Sequence, residues 1–97
     1  MNYDSIDREL NLWASINSVT IQSRYRDDEV RAFEIRSSDN QQKAQVGVSD
    51  LTENDVELTV FDGKKKRKKI RGSLDQIMEL LDEAASLARQ WIGNEPT

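Results

Sequence analysis

The spacing of apolar residues changes once along this chain, and that change limits the fold more than any other feature. Between residues 19 and 71, apolar and polar side chains alternate in short segments, as they do in β-strands. From Leu74 to Ile92 the apolar side chains recur at three- and four-residue intervals, as they do in a helix with one apolar face. Several strands followed by one long helix predict an α+β domain.

Short polar turns separate the segments that have strand character. The predicted strands span residues 19–25, 31–37, 43–49, 55–61 and 64–71. The predicted turns are 26–29, 38–41, 50–54 and 62–63, which are rich in Asp, Asn, Ser or Gly. Successive short strands of this kind predict an antiparallel β-meander of about four or five strands with one apolar face.

The long C-terminal helix has clear signals at both ends. Ser73 is a suitable N-cap, and Gln76 completes a Ser-x-x-Gln capping box. Gly93 and Pro96 are typical of the residues that follow a helix. The apolar face of this helix should pack on one face of the sheet, and Trp91 should lie in that contact.

The N-terminal segment, residues 4–16, fits two periods. A helical face would hold Ile6, Leu10, Trp13 and Ile16, whereas a strand face would hold Leu10, Leu12, Ala14 and Ile16. We favour a short helix capped by Asp4 or Ser5, because acidic residues cluster at its start. We therefore predict one two-layer domain, residues 1–97, with this helix beside the C-terminal one and Trp13 in the core.

A basic run at residues 64–71 is the clearest pointer to a partner. It holds seven of the 14 Lys and Arg residues and none of the 18 Asp and Glu residues, in a chain whose net charge is −4. These seven residues are our candidates for binding a polyanion or a partner protein: Lys64, Lys65, Lys66, Arg67, Lys68, Lys69 and Arg71.

Ile70 is the one apolar residue of this run, and it constrains how the last strand pairs. A two-residue turn at 62–63 would place Ile70 opposite Asp55, whereas a three-residue loop would place it opposite Val56. The two registers exclude each other, because a slip of one residue moves every side chain to the other face. We favour the second register, which puts Ile70 in the core.

The favoured register also makes a prediction about the lysines. Lys69 would face Glu57, while Lys66 and Lys68 would point along the apolar face and extend their ammonium groups to water. A strand that accepts this belongs at a sheet edge, where lysines block pairing with another chain. Edge protection is thus an alternative to two functional interpretations: binding of a nucleic-acid backbone, or docking on an acidic protein, including use as a nuclear-import peptide.

The chain lacks the residues that most enzymes of small size would need. It contains no His and no Cys, which excludes a Ser-His-Asp triad, a cysteine nucleophile and the usual zinc ligand sets. The stretch Asp50–Asp55 resembles the start of a calcium loop, but Asp55 replaces the required Gly and Phe61 the required Glu. We therefore expect no enzyme, no metal site and no cofactor.

Composition favours a cytoplasmic interaction module. The absence of cysteine gives no sign of an oxidising compartment, the first 16 residues do not resemble a secretory signal, and no apolar run is long enough to span a membrane. The acidic balance (pI about 4.8) and the additional apolar residues Leu12, Leu80 and Leu87 lead us to expect a protein partner, or a second copy of the chain. The alternative is nucleic acid bound by residues 64–71, with Phe61, expected opposite the core face, as the nearest aromatic side chain.

Overall fold

A computed structural model describes residues 3–37 and 42–92 of the chain. The elements, in order, are α1 Asp4–Asn17, β1 Gln22–Tyr25, β2 Asp28–Arg36, β3 Lys43–Leu51, β4 Asp55–Phe61, β5 Arg67–Ser73, a single 3-10 turn Leu74–Gln76, and α2 Ile77–Trp91. The five strands form one sheet in the order β1-β2-β3-β4-β5, and all neighbours are antiparallel. The predicted α+β fold, with a meander and two helices, is confirmed.

Both helices pack on the same face of the sheet. Strand β4 shows the cause most simply, because Val56, Leu58 and Val60 are fully buried while the residues between them are only half-buried. Helix α1 adds Ile6 and Leu10 to this core, and α2 adds the buried side chains of Ile77, Leu81, Ala84, Ala85 and Ala88. The other face of the sheet is polar, and we call it the open face.

Trp13 joins α1 to both the sheet and α2. Its ring lies 4.8 Å from the ring of Phe33, measured between centroids. Its indole Nε1 donates a hydrogen bond to Oδ1 of Asp82 at 2.7 Å, which satisfies the polar group of a side chain that is only 2% exposed. The prediction that Trp13 lies in the core is confirmed, while Trp91 is half-buried at its edge.

The predicted starts of the helices and of the first strand need correction. Helix α1 begins after Tyr3, which makes no side-chain capping bond, so neither Asp4 nor Ser5 is its cap. Ser73 does accept a hydrogen bond from the backbone N–H of Asp75 at 3.3 Å, but the turn that it caps is a 3-10 turn. Strand β1 starts at Gln22 and not at residue 19, because the preceding apolar side chains pack against the core before the strand pairs.

The hairpin turns also differ from the prediction. Tyr25 pairs with Asp28, so the first hairpin turns through residues 26 and 27 alone, with Arg26 at φ 56°. The predicted turn 38–41 and the helix-end residues Gly93 and Pro96 lie outside the described residues.

The register of β5 is shifted from the favoured prediction by two residues. Ile70 lies opposite Leu58, not Val56, because residues 62–66 form a loop longer than the three residues we expected. A shift of two residues keeps each side chain on its predicted face. Ile70 is therefore buried in the core (8% exposed), as predicted, and among the described strands β5 pairs with β4 alone, at the sheet edge.

The additional apolar residues of the sequence differ in their surroundings. Leu80 is 9% exposed and covers Gly72 of β5 so closely that a Cβ at Gly72 would lie 2.9 Å from Leu80 Cδ2. Leu87 is half-buried. On α1, however, Leu12 is 52% exposed and its neighbour Ile16 is 68% exposed. Leu80, one of the residues that led us to expect a partner, is therefore covered within the domain itself. In the described part of the chain, no helix is long and apolar enough to cross a membrane.

Arg31 is the one buried charged residue in the described part of the chain, and the sequence did not suggest its ionic contact. Its guanidinium holds Asp7 of α1 through two hydrogen bonds, from Nε to Oδ1 at 2.6 Å and from Nη2 to Oδ2 at 3.1 Å. Its Nη1 also donates to the backbone carbonyls of Ser23 and Val30. Arg31 is 7% exposed, so this contact fixes α1 against β1 and β2 at the cost of desolvating a charge.

We predict that Asp7→Asn destabilises the fold by about 1–3 kcal/mol at neutral pH, because it removes the carboxylate that Arg31 hydrogen-bonds and leaves only the longer contact with the exposed Asp4, at 3.7 Å. Arg31 holds the pKa of Asp7 below its ordinary value of 3.8. The stabilisation is therefore complete above that value and is lost as the pH falls through the lowered pKa. Urea unfolding at pH 6 and at pH 3 should show the difference between wild type and variant shrinking in acid. Asp27→Asn, in an exposed turn, is the matched control, and equal stability of both variants at pH 6 would contradict the prediction.

Candidate functional site

The loop before β5 is organised around one carboxylate. Oδ1 of Asp62 accepts hydrogen bonds from the backbone N–H groups of Lys64 at 2.8 Å, Lys65 at 3.0 Å and Lys66 at 3.0 Å. The N–H of Asp62 in turn donates to the carbonyl of Lys66 at 3.1 Å, and Gly63 supplies the left-handed backbone conformation of the turn at φ 83°. All three lysines therefore lie in a hydrogen-bonded loop, whereas the favoured prediction placed only Lys64 in the loop and Lys65 and Lys66 in the strand.

Two members of the basic run are neutralised by carboxylates within the sheet. Arg71 Nη1 lies 3.0 Å from Asp50 Oδ2 and 3.6 Å from Glu57 Oε2. Lys69 lies opposite Thr59 and not opposite Glu57, yet its Nζ reaches Glu57 Oε1 diagonally at 3.9 Å. The hydrogen bond from Arg71 holds the pKa of Asp50 below its ordinary range, and Asp50 in turn raises the pKa of Arg71. Lys69 and Arg71 therefore balance the charge of acidic residues on the neighbouring strands.

The other five basic residues form no ion pair with any described residue, and we call this group the basic corner. Its members are Lys64, Lys65, Lys66, Arg67 and Lys68. All five are exposed. Arg67 lies over the ring of Phe61 on the open face, 4.8 Å from the ring centroid, and Lys68 lies on the helix face beside Leu87 of α2. Basic side chains thus lie on both faces of the sheet at the start of β5. Lys68 follows the apolar face as predicted, whereas Lys66 lies in the loop before the strand.

The meander also brings a basic residue from elsewhere in the sequence to this end of the sheet. Because Gln45 pairs with Phe61, Lys43 at the start of β3 lies beside Gly63. The Nζ of Lys43 is 3.9 Å from Glu34 Oε1, so part of its charge is already compensated. Lys43 is distant from the basic run in the sequence, so only the pairing of β3 with β4 could have indicated that they lie close together.

The strand directions separate opposite charges along the sheet. The basic corner lies where β3 and β5 begin, whereas acidic residues gather where β2 and β4 begin and where both helices start. The acidic residues at that end include Asp4, Asp28, Glu29, Asp50, Asp55, Asp75 and Glu79. We call it the acidic end. Exposed charges at opposite ends of the sheet are largely screened from one another, so the acidic end has little influence on the basic corner.

The described residues offer no evident centre for metal chemistry. They contain no group of three or more carboxylates placed to hold a metal ion. In the stretch that resembles a calcium loop, Asp50 belongs to β3 and pairs with Arg71, while the hydroxyl of Thr52 accepts a hydrogen bond from the N–H of Asp55 at 2.9 Å. This segment is a tight strand connection.

Comparison of the chain with protein-family models, with curated proteins and with solved structures found no match. The molecule's own charges and surfaces are therefore what indicates its function.

We predict that Asp62→Ala makes the basic corner less ordered, because three backbone donors lose their shared acceptor. Amide exchange of Lys64, Lys65 and Lys66, measured by NMR, should become several-fold faster, while the exchange of Ile70 should stay unchanged. The bond from the N–H of Lys64 is the main cause of a lowered pKa of Asp62. The same amides should therefore lose protection in the wild type as the pH falls through that lowered pKa. Exchange that is unaltered in Asp62→Ala, as in the control Asp27→Ala, would contradict this role.

Proposed function

We propose that this protein is a non-enzymatic interaction module whose basic corner docks on an acidic surface of a partner protein. One observation carries the proposal: five exposed cations, consecutive in sequence, form no ion pair with a described carboxylate, whereas two cations further along β5 do. A strand that needed positive charge only to balance its neighbours would pair all of them. The unpaired charges are thus available to an external anion.

The rest of the surface favours a protein partner over long nucleic acid. A duplex binder usually presents a broad basic face and has a high pI, whereas this chain has a pI of about 4.8. A local positive corner on an acidic body suits contact with one acidic patch, since complementary charge steers the encounter and sets the orientation. A second copy is one possible partner, because its acidic end has the required charge. We also propose a cytoplasmic location, on the sequence arguments given above.

Single-stranded nucleic acid is the second candidate, and one contact favours it. Phe61 lies on the open face, as predicted, and forms a stacked pair with Arg67 of the basic corner. Single-strand binders combine cations along the backbone with an aromatic ring on which a base stacks. The corner and this ring are adjacent, so both elements are present at one place on the surface.

We predict that neutralising the loop lysines weakens binding to an anionic probe by about tenfold. The corner variant replaces Lys64, Lys65 and Lys66 by Gln. The control variant makes the same charge change at the other side of the molecule by replacing Arg8, Arg24 and Arg26 by Gln. Affinity for labelled poly-glutamate, as a simple acidic chain, is measured by fluorescence anisotropy at low and moderate salt.

The two variants separate a local site from a general charge effect. The corner variant should lose affinity and show a weaker dependence on salt, while the control stays within about twofold of the wild type. Equal losses in both variants would overturn a localised site. A wild-type chain that does not bind poly-glutamate at low salt would overturn docking on acidic proteins.

A further inference from the structure

A hollow of about 190 Å³ lies on the open face of the sheet, directly beside the basic corner. Its lining includes Gln45, Gly47, Ser49, Thr59, Phe61 and Arg67. These residues come from the three neighbouring strands β3, β4 and β5, so the floor of the hollow is rigid, hydrogen-bonded sheet. Neither helix covers it, because both helices pack on the other face.

Gly47 creates the hollow, and the fold itself does not require glycine there. Its backbone does not have a positive φ. A Cβ at Gly47 would lie 3.5 Å from the Cβ of Ala32 and 3.6 Å from the carbonyl oxygen of Arg31, which are ordinary contact distances. Glycine inside a strand weakens it and often marks a close approach by a ligand. We therefore explain the glycine at position 47 by the open space that it leaves in the hollow.

The wall of the hollow is a stacking surface. The guanidinium of Arg67 lies over the Phe61 ring, and the pair stands at the edge of the floor left by Gly47. The phenyl ring is half-buried and on the side away from the core, so the core does not account for an aromatic residue there. Aromatic rings and guanidinium planes are the two surfaces on which proteins stack unpaired bases.

The polar side chains of the hollow are arranged for a neutral, hydrogen-bonding group. The hydroxyl of Thr59 donates a hydrogen bond to the hydroxyl of Ser49 at 2.8 Å, and the hydroxyl of Ser49 donates to the Glu57 carboxylate at 2.9 Å. These hydroxyls therefore extend from the hollow toward Glu57, which forms an ion pair with Arg71. The side-chain amide of Gln45 is exposed and has no hydrogen-bond partner among the described residues. An amide offers both a donor and an acceptor, as the edge of a base requires.

We propose that this hollow is a stacking site for one base of a single-stranded nucleic acid, whose phosphates lie on the basic corner. The base stacks on the Phe61–Arg67 pair above Gly47, with its edge toward Gln45. The phosphates on one side of that nucleotide then reach Lys64 to Arg67, whereas on the other side Lys69 and Arg71 are already paired with Glu57 and Asp50 and offer no free cation. The proposal rests on the second candidate function and specifies its ligand.

The test is binding of fluorescein-labelled dT12, measured by anisotropy at 50 mM salt, to the full chain. Phe61→Leu removes the aromatic ring, and Gly47→Val fills the hollow with a residue that suits a strand. Loss of one stacked base should weaken binding by about 5- to 150-fold in each variant. Tyr25→Leu removes an aromatic side chain that is 54% exposed on β1 and should stay within about twofold of the wild type.

Poly-glutamate separates this proposal from the functions proposed above. Its binding should not change in Phe61→Leu or Gly47→Val, because an acidic chain has no base to stack, whereas the corner variant should weaken both probes. Binding of dT12 that is equal in wild type, Phe61→Leu and Gly47→Val overturns the stacking site. If the corner variant still loses affinity, the second candidate function survives without it. If dT12 does not bind at all, both fail, and binding of poly-glutamate would still support docking on an acidic protein.

The wild-type chain gives a check that does not depend on the folding of any variant. Titration with dT12 should shift the NMR amide resonances of Gly47 and Thr59 together with those of Lys64, Lys65 and Lys66. Shifts confined to the loop lysines would mean that the phosphates bind without a base in the hollow, and they would overturn the proposal.

Discussion

Burial of Ile70 is the constraint on which the arrangement of this surface depends. It is the one apolar side chain in a run of seven cations, and it lies opposite Leu58 in the core. That single contact decides which cations follow each face of the sheet, because side chains alternate along a strand. Arg67, Lys69 and Arg71 turn to the open face, and Lys68 turns to the helix side. Without Ile70 the strand would have no reason to prefer one face over the other.

The same strand serves the fold and remains available to a partner, since its two halves have different surroundings. Near its C-terminal end, Arg71 forms an ion pair with Asp50 and Lys69 forms one with Glu57. Leu80 of α2 packs over Gly72. Near its N-terminal end the cations form no ion pair with a described carboxylate, because the Asp62 carboxylate, the closest in sequence, accepts backbone N–H groups. Edge protection and the proposed binding are therefore compatible in one strand, because lysines that block unwanted pairing also remain free to contact an anion.

Periodicity was sufficient to predict the fold, but not the contacts that depend on side chains distant in the sequence. The alternation of Val56, Leu58 and Val60 gave the meander, and Ile70 gave the correct face of the last strand. The exact register was wrong, because no propensity rule shows that the Asp62 carboxylate will accept three N–H groups and lengthen the loop. The Arg31–Asp7 contact, the stacking of Arg67 on Phe61 and the hollow at Gly47 each join separate elements. The glycine at position 47 and the aromatic residue at position 61 are visible in the sequence, but the sequence does not show which side chains lie beside them.

The separation of charge explains how an acidic protein can keep a strongly positive corner. At physiological ionic strength, exposed charges are screened over about 8 Å. The described domain is 39 Å along its longest axis. A ligand at the basic corner therefore responds to the nearby lysines more than to the distant acidic end, where Asp75 and Glu79 also suit the start of a helix. Net charge thus says little about the sign of the partner here. The local geometry around Asp62 and Ile70 sets the charge of this corner, and a partner bound there, as proposed, would be an anion.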